Sequence, residues 1–303
     1  MKWASCWPRD ERRSRLLGPC LSEFLGTFVL VFFGVGAVTA AVATGAQQGL
    51  WQVAAVWAIG VSLAIYGTAA VSGAHLNPAI TLAMTIWRRF PLRRVGFYFL
   101  AQVAGAFSAS LVLYLLFHNL IASFEAARGL VRGGPGSELS AMMFGEYFPN
   151  PAIVGTGPQQ YASVTLAQAW LAEALGTGLL AGFVFALTER RNLSSAGAVA
   201  PICIGLAVAA IISILAPLTQ AGLNPARDFG PRLAAFLLGW GRIAIPGPRG
   251  GFFTVYIAAP LVGAVIGAGI YQVLVRTFLP AGAKEAGRPR AGAGDSEMEA
   301  IAE

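Results

Sequence analysis

The sequence carries an internal duplication. Leu21-Ser22-Glu23-Phe24-Leu25-Gly26-Thr27 matches Leu171-Ala172-Glu173-Ala174-Leu175-Gly176-Thr177 at an offset of 150, and Asn77-Pro78-Ala79 returns as Asn224-Pro225-Ala226 at an offset of 147. Gly105-Ala106 pairs with Gly263-Ala264 at 158. Each copy holds three apolar stretches that approach the roughly 20 residues needed to cross a bilayer. They lie at about 21–43, 50–70 and 95–117 in the first copy, and 167–187, 198–216 and 252–275 in the second. Three crossings are an odd number, so the second copy runs upside down. The copies are therefore inverted repeats that meet at the bilayer midplane.

Each triplet opens a further apolar segment, about 77–86 and 224–236, that is too short to span. Asn is a good N-cap and Pro a good first helical residue, so each segment reads as a re-entrant half-helix. In inverted repeats the two half-helices enter from opposite faces and point their N-termini at one another. An Asn amide beside the positive end of a helix dipole offers a donor to a hydroxyl oxygen, while two opposed positive ends repel protons and cations. One isolated triplet is explained equally well by N-capping alone. The symmetric pair is what assigns Asn77 and Asn224 to a pore centre, with Pro78, Ala79, Pro225 and Ala226 starting the half-helices.

Composition agrees with a membrane protein: 56% of the 303 residues are hydrophobic and 12% charged, against roughly 25% charged in soluble domains. The net charge of +7 falls in short clusters at the ends of apolar runs, which marks topology and excludes a nucleic-acid surface. The N-terminus, the 87–94 loop, the 188–197 loop and the C-terminal tail hold fourteen of the twenty-one Lys and Arg residues. By the positive-inside rule both termini are cytoplasmic. The chain then divides into an N-terminal segment 1–20, a channel domain 21–277 interrupted by an external connection at about 118–166, and a tail 278–303 expected to be disordered. The first apolar run is too long for the core of a signal peptide and is retained. Cys6, Cys20 and Cys203 show neither metal nor disulfide spacing and are expected as free thiols.

Three motifs carry a family resemblance: SGAHLNPA (72–79), GLNPARDFGPR (222–232) and GWG (239–241). Over about 20–277 the chain resembles the aquaporin, or major intrinsic protein, family, and within it the aquaglyceroporin branch of glycerol uptake facilitators. The resemblance implies the aquaporin fold, a homotetramer with one pore per subunit in the plasma (inner) membrane, and passive conduction of glycerol and water without a cofactor. Asp228, Arg232, Pro260 and Leu261 match markers of the glycerol branch.

Arg227 follows the second triplet. A charge at membrane depth faces a cavity or the bundle interior; the resemblance makes it the donor and cation barrier of a selectivity filter. A structural ion pair with Asp228 or Glu173 is the alternative. The resemblance places Trp57, Ile212 and Ala221 in the same filter, where typical glycerol facilitators carry Gly and Phe at the last two positions. Replacing Phe by Ala opens one wall, and replacing Gly by Ile closes another. The lining remains amphipathic, as a polyol requires. Glu23 and Glu173 occupy equivalent positions within spans. They read either as a proton relay or, as the resemblance implies, as acceptors for backbone N–H groups of the loops before the half-helices. His75 is placed at the cytoplasmic pore mouth, packing the loop or gating it. Tyr66, Trp87 and Trp240 read as packing or interface aromatics.

Two histidines, no catalytic triad and no phosphate loop argue against an enzyme. Inverted repeats also mark ion-coupled secondary transporters, but these normally need clusters of intramembrane ionisable groups. A water-selective channel, or one for urea, a metalloid hydroxide or lactic acid, is the alternative within the channel class.

Overall fold

The computed structural model describes residues 11–192 and 196–280; Cys6 and the tail from 281 lie outside them. The described residues form helices and turns: α1 (Glu11–Thr44), α2 (Leu50–Ser72), α3 (Pro78–Arg88), α4 (Leu92–Ala127), α5 (Glu138–Ala141), α6 (Pro158–Ala162), α7 (Leu166–Leu187), α8 (Ala200–Thr219), α9 (Pro225–Ala235) and α10 (Ala259–Leu274). Among the described residues, six spans are long and apolar enough to cross a membrane, at Leu16–Thr44, Leu50–Ser72, Leu92–Ala127, Leu166–Leu187, Gly197–Thr219 and Phe252–Phe278. The half-helices α3 and α9 begin at Pro78 and Pro225, each behind its Asn N-cap. Cys20 and Cys203 are free.

The third span is ten residues longer than the apolar run that ends near 117. The extra turns, 118–127, contain neither Gly nor Pro, and they bury Ile121 and Phe124. They also bury Glu125, an ionisable group at the end of a span that the shorter reading missed. Arg132 neutralises it at 2.8 Å, and Ser140 Oγ donates to it at 2.7 Å. Arg132 in turn lies over the rings of Tyr114 and Trp240. Trp240 is fully buried and donates through Nε1 to Ser140, which makes it a packing residue. Tyr66 donates to Ala198 O and Trp87 to Val265 O, so both also tie elements together.

The duplication is physical. Within each half the first span packs on the third, α1 on α4 and α7 on α10; each half-helix packs on the third span of the other half, α9 on α4 and α3 on α10; α2 meets α8 between the halves. The matched glycines make the equivalent contact in both copies. A Cβ on Gly105 would come within 2.2 Å of Phe24 O, and one on Gly263 within 2.0 Å of Ala174 O, 150 residues further along. Gly267, one turn beyond, leaves only 1.9 Å to Gly178 O. Small residues let helix backbones approach where hydrocarbon removes the hydrophobic drive for association. Gly267→Ala is therefore expected to destabilise the protein by about 1–3 kcal/mol, read as a lower midpoint of thermal unfolding in detergent. Gly67→Ala, with nothing within 4 Å of its Cβ, is expected to leave the midpoint unchanged.

Candidate functional site

The site is built where the two half-helices meet. Asn77 and Asn224 both have extended backbone and line one cavity. Asn77 Oδ1 accepts from Ala79 N at 2.8 Å, and Asn224 Oδ1 accepts from Ala226 N at 3.0 Å and Arg227 N at 3.3 Å. These bonds satisfy backbone donors that a helix start leaves open. The amide nitrogens do something else. Asn77 Nδ2 donates to Leu223 O at 2.9 Å, and Asn224 Nδ2 donates to Leu76 O at 2.8 Å. Each Asn is thus cap and cross-link together. An amide nitrogen carries two N–H donors, so one remains for a molecule in the cavity that both residues line.

The loops that present those carbonyls are bent against their preference. Ala74 and Leu76 in one, and Gln220, Ala221 and Leu223 in the other, have positive φ between 49° and 62°. Left-handed backbone in residues other than Gly costs on the order of 1–3 kcal/mol each when held. The buried carboxyls hold it. Glu23 accepts from His75 N at 2.9 Å and Leu76 N at 2.7 Å; Glu173 accepts from Gly222 N at 2.9 Å and Leu223 N at 2.7 Å. Gln102 adds a third donor to Glu23 at 2.8 Å. His75 lines the cavity with its ring packed on Phe90 and Tyr98 and its Nδ1 3.2 Å from Thr81 Oγ1. That is a packed loop residue.

Two cavities meet at three side chains. The inner, of about 300 Å³, runs past both Asn residues; the outer, of about 480 Å³, opens beneath the external connection. Trp57, Ile212 and Arg227 line both, whereas Ala221 lines only the inner. Trp57 lies against Arg227, whose guanidinium carbon is 4.5 Å from the ring centroid. Gly34 makes room for that indole: a Cβ there would sit 2.3 Å from it.

Arg227 is an ion-pair residue as well, but its partner is neither Asp228 nor Glu173. It pairs with Glu146, from the external connection. Asp228 is occupied by Arg232, with bonds of 2.8 and 2.9 Å. Asp228 Oδ1 also accepts from Glu146 N at 2.7 Å, while Arg232 donates to Glu146 O and to Ala244 O. The two branch markers are therefore the clamp that holds Glu146 against Arg227. Gln220, beside Ala221, completes it by accepting from Tyr147 N at 2.8 Å. Pro260 is buried in the first turn of α10, and Leu261 packs against the core. Glu146 is one of three acids in the 118–166 stretch, and the sequence does not single it out. Nor does it show the partner, because the pair is 81 residues apart and no repeat links them.

Six spans enclosing two opposed half-helices, Asn to opposite backbone, define the aquaporin fold. A family model described as "Major intrinsic protein" matches residues 11–271. The chain is 45% identical over 272 residues to a glycerol uptake facilitator protein of Pseudomonas aeruginosa, covering 89% of this chain and 93% of that one. It is 44% identical over 266 residues to a propanediol uptake facilitator of Citrobacter freundii, covering 88% and 94%. The X-ray structure of the aquaglyceroporin from Plasmodium falciparum superposes with a TM-score of 0.72 at 26% identity, covering 86% of this chain and 98% of that one. The chain belongs to the major intrinsic protein family.

Burial pushes the Glu146 carboxyl up to about 8; Arg227 pulls it down, and the carboxylates of Asp228 and Glu173 raise it further. Below that pH the carboxyl is neutral and the guanidinium is free to donate into the cavity; above it the two are an ion pair. Solute flux is expected to be higher on the acid side by roughly fivefold, the worth of one hydrogen bond, with a midpoint near pH 8. Stopped-flow flux in proteoliposomes across pH 6.5–9.5 measures this. Glu146→Gln is expected to hold the acid-side rate at every pH.

Proposed function

We propose that the protein is a passive channel for glycerol and other small uncharged solutes, with water, that excludes protons and ions. The observation that carries this reading is the pair of capped, cross-linked Asn residues lining a cavity that meets a second one at Trp57, Ile212 and Arg227. The relatives named as glycerol uptake facilitators support the solute class. A polyol has carbons on one side and hydroxyls on the other. Trp57 and Ile212 suit the carbons, while Arg227, the Asn amides and backbone carbonyls suit the hydroxyls. The opposed N-termini of α3 and α9 place positive potential at the midplane, against protons and cations. In this reading Glu23 and Glu173 hold the pore loops, Asp228 and Arg232 position the external connection, and His75 packs the inner mouth.

Propanediol is a second solute to examine. A propanediol facilitator is among the relatives, and Ala221 leaves space where an aromatic wall would press on a methyl group. Transport by diffusion, without chemistry on the solute, fits a site whose free polar groups are the spare N–H donors of Asn77, Asn224 and Arg227. The chain is multi-pass, and we place it in the plasma membrane as a homotetramer with both termini cytoplasmic, following the arginine-rich loops.

Stopped-flow swelling of proteoliposomes in glycerol, propanediol, urea and water tests the reading. Flux is expected to be uncoupled from ion gradients and to rise linearly with solute. Ala221→Phe is expected to slow propanediol more than glycerol, and Ile212→Gly to speed both. Arg227→Ala is expected to retain solute flux, at the rate of the ion-paired form, while admitting small cations, seen as a collapsed diffusion potential. Water flux without glycerol flux would reject the assignment; uphill accumulation driven by Na⁺ or H⁺ would replace it with a coupled transporter.

A further inference from the structure

A second ionic cluster lies at the opposite end of the molecule from Glu146. Glu189, just past α7, receives three arginines from three elements: Arg88 at the end of α3 at 3.1 Å, Arg276 beyond α10 at 2.6 Å, and its neighbour Arg191 at 3.8 Å. Arg88 and Arg276 share the same carboxylate oxygen, Oε2. Three positive charges against one leave an excess of two on this face. The carboxylate lies underneath: its side chain is 5% exposed, while those of Arg88, Arg191 and Arg276 are 25%, 31% and 40% exposed. What faces outward is cationic. Arg88 Nε and Arg191 Nε are buried and have no acceptor within hydrogen-bond geometry.

The position selects the kind of anion. The spans that flank the cluster end at Leu187 and Phe278, so the arginines sit at the level where hydrocarbon gives way to water. Immediately beside them Leu274 is 64% and Phe278 81% exposed. A cationic patch above an uncovered apolar strip fits a molecule with a phosphate at one end and acyl chains at the other. We propose that Arg88, Arg191 and Arg276 bind the phosphate of an anionic phospholipid whose chains lie along the exposed side of α10. Guanidinium groups suit this because each presents paired N–H donors in a plane that matches phosphate oxygens. The site also reaches the pore. Met84, one turn before Arg88, and Thr188, next to Glu189, both line the inner cavity. A bound lipid would brace the mouth of that cavity from outside.

The test uses the full chain, delipidated in neutral detergent, and native mass spectrometry with phosphatidylglycerol or phosphatidylcholine of identical chains. Phosphatidylglycerol is expected to bind more tightly. Arg191→Gln with Arg276→Gln is expected to weaken it roughly fivefold per arginine removed, while the control pair Arg93→Gln with Arg94→Gln, equal in charge but outside the cluster, keeps the preference. Glu189→Gln separates binding from architecture. It removes the buried counter-charge, so it is expected to tighten phosphatidylglycerol binding even as it lowers thermal stability. Equal binding of the two lipids, equal loss in both double variants, or an unchanged preference in Glu189→Gln would each overturn the proposal. Displacement of phosphatidylglycerol by millimolar inorganic phosphate would overturn the lipid as ligand.

Discussion

Two hydrogen bonds hold the centre of this protein: Asn77 to Leu223 O and Asn224 to Leu76 O. They close the gap between halves of the chain that share no backbone continuity there. Both acceptors belong to residues with left-handed backbone, a conformation that Leu resists. The cross-links therefore depend on Glu23 and Glu173, whose carboxyls hold the same two residues by their N–H groups. A buried carboxyl is itself expensive at membrane depth. It is retained because it satisfies two backbone donors that hydrocarbon would otherwise strand, and because it fixes the carbonyl to which the opposite Asn donates. Strain, carboxyl, carbonyl and amide form one unit, repeated once by the inverted symmetry.

The outer end departs from that symmetry. Asp228 and Arg232 have no counterpart in α3, where Thr81 and Thr85 stand at the same distances from the triplet. The extra pair grips the external connection, with Arg232 surrounded by the rings of Tyr147, Phe252 and Tyr256. Its buried charges are balanced against each other and satisfied by backbone carbonyls, which is the condition under which a buried ion pair is tolerated. The result is a fixed carboxyl, Glu146, set against Arg227. The connection therefore also lines the outer cavity, through Glu146.

What the sequence revealed follows the physics of each feature. The duplication, the spans and the half-helices were legible because hydropathy and Asn-Pro starts are local signals, and because an odd number of crossings has one consequence. The partners of Glu23 and Glu173 could be anticipated as loop N–H groups from the resemblance. The end of α4 could not, since a helix may leave the hydrocarbon without any change of propensity, and only burial of Ile121 and Phe124 shows that it continues. The Glu146–Arg227 pair was hidden for a different reason. It joins an irregular connection to a half-helix, and no period or motif relates two such segments. Gly34 was one glycine among 37, distinguished only by the Trp57 ring that occupies its missing side chain's place.

The two departures from the glycerol pattern fall at different depths, and that separates their effects. Ile212 borders both cavities, so its bulk acts at the junction that every solute must cross. Ala221 borders the inner cavity alone and lies below that junction. The side chain missing at 221 therefore widens the space a solute enters after the junction, without widening the junction. In the proposed reading, Ile212 and Trp57 set what can pass, and Ala221 relaxes how it must be oriented once through. A branched or methylated solute gains from the second change only if it already fits the first. On that proposal, selection by width and selection by wetting rest on different residues: Ile212 for the carbons, and Arg227, tempered by Glu146, for the hydroxyls.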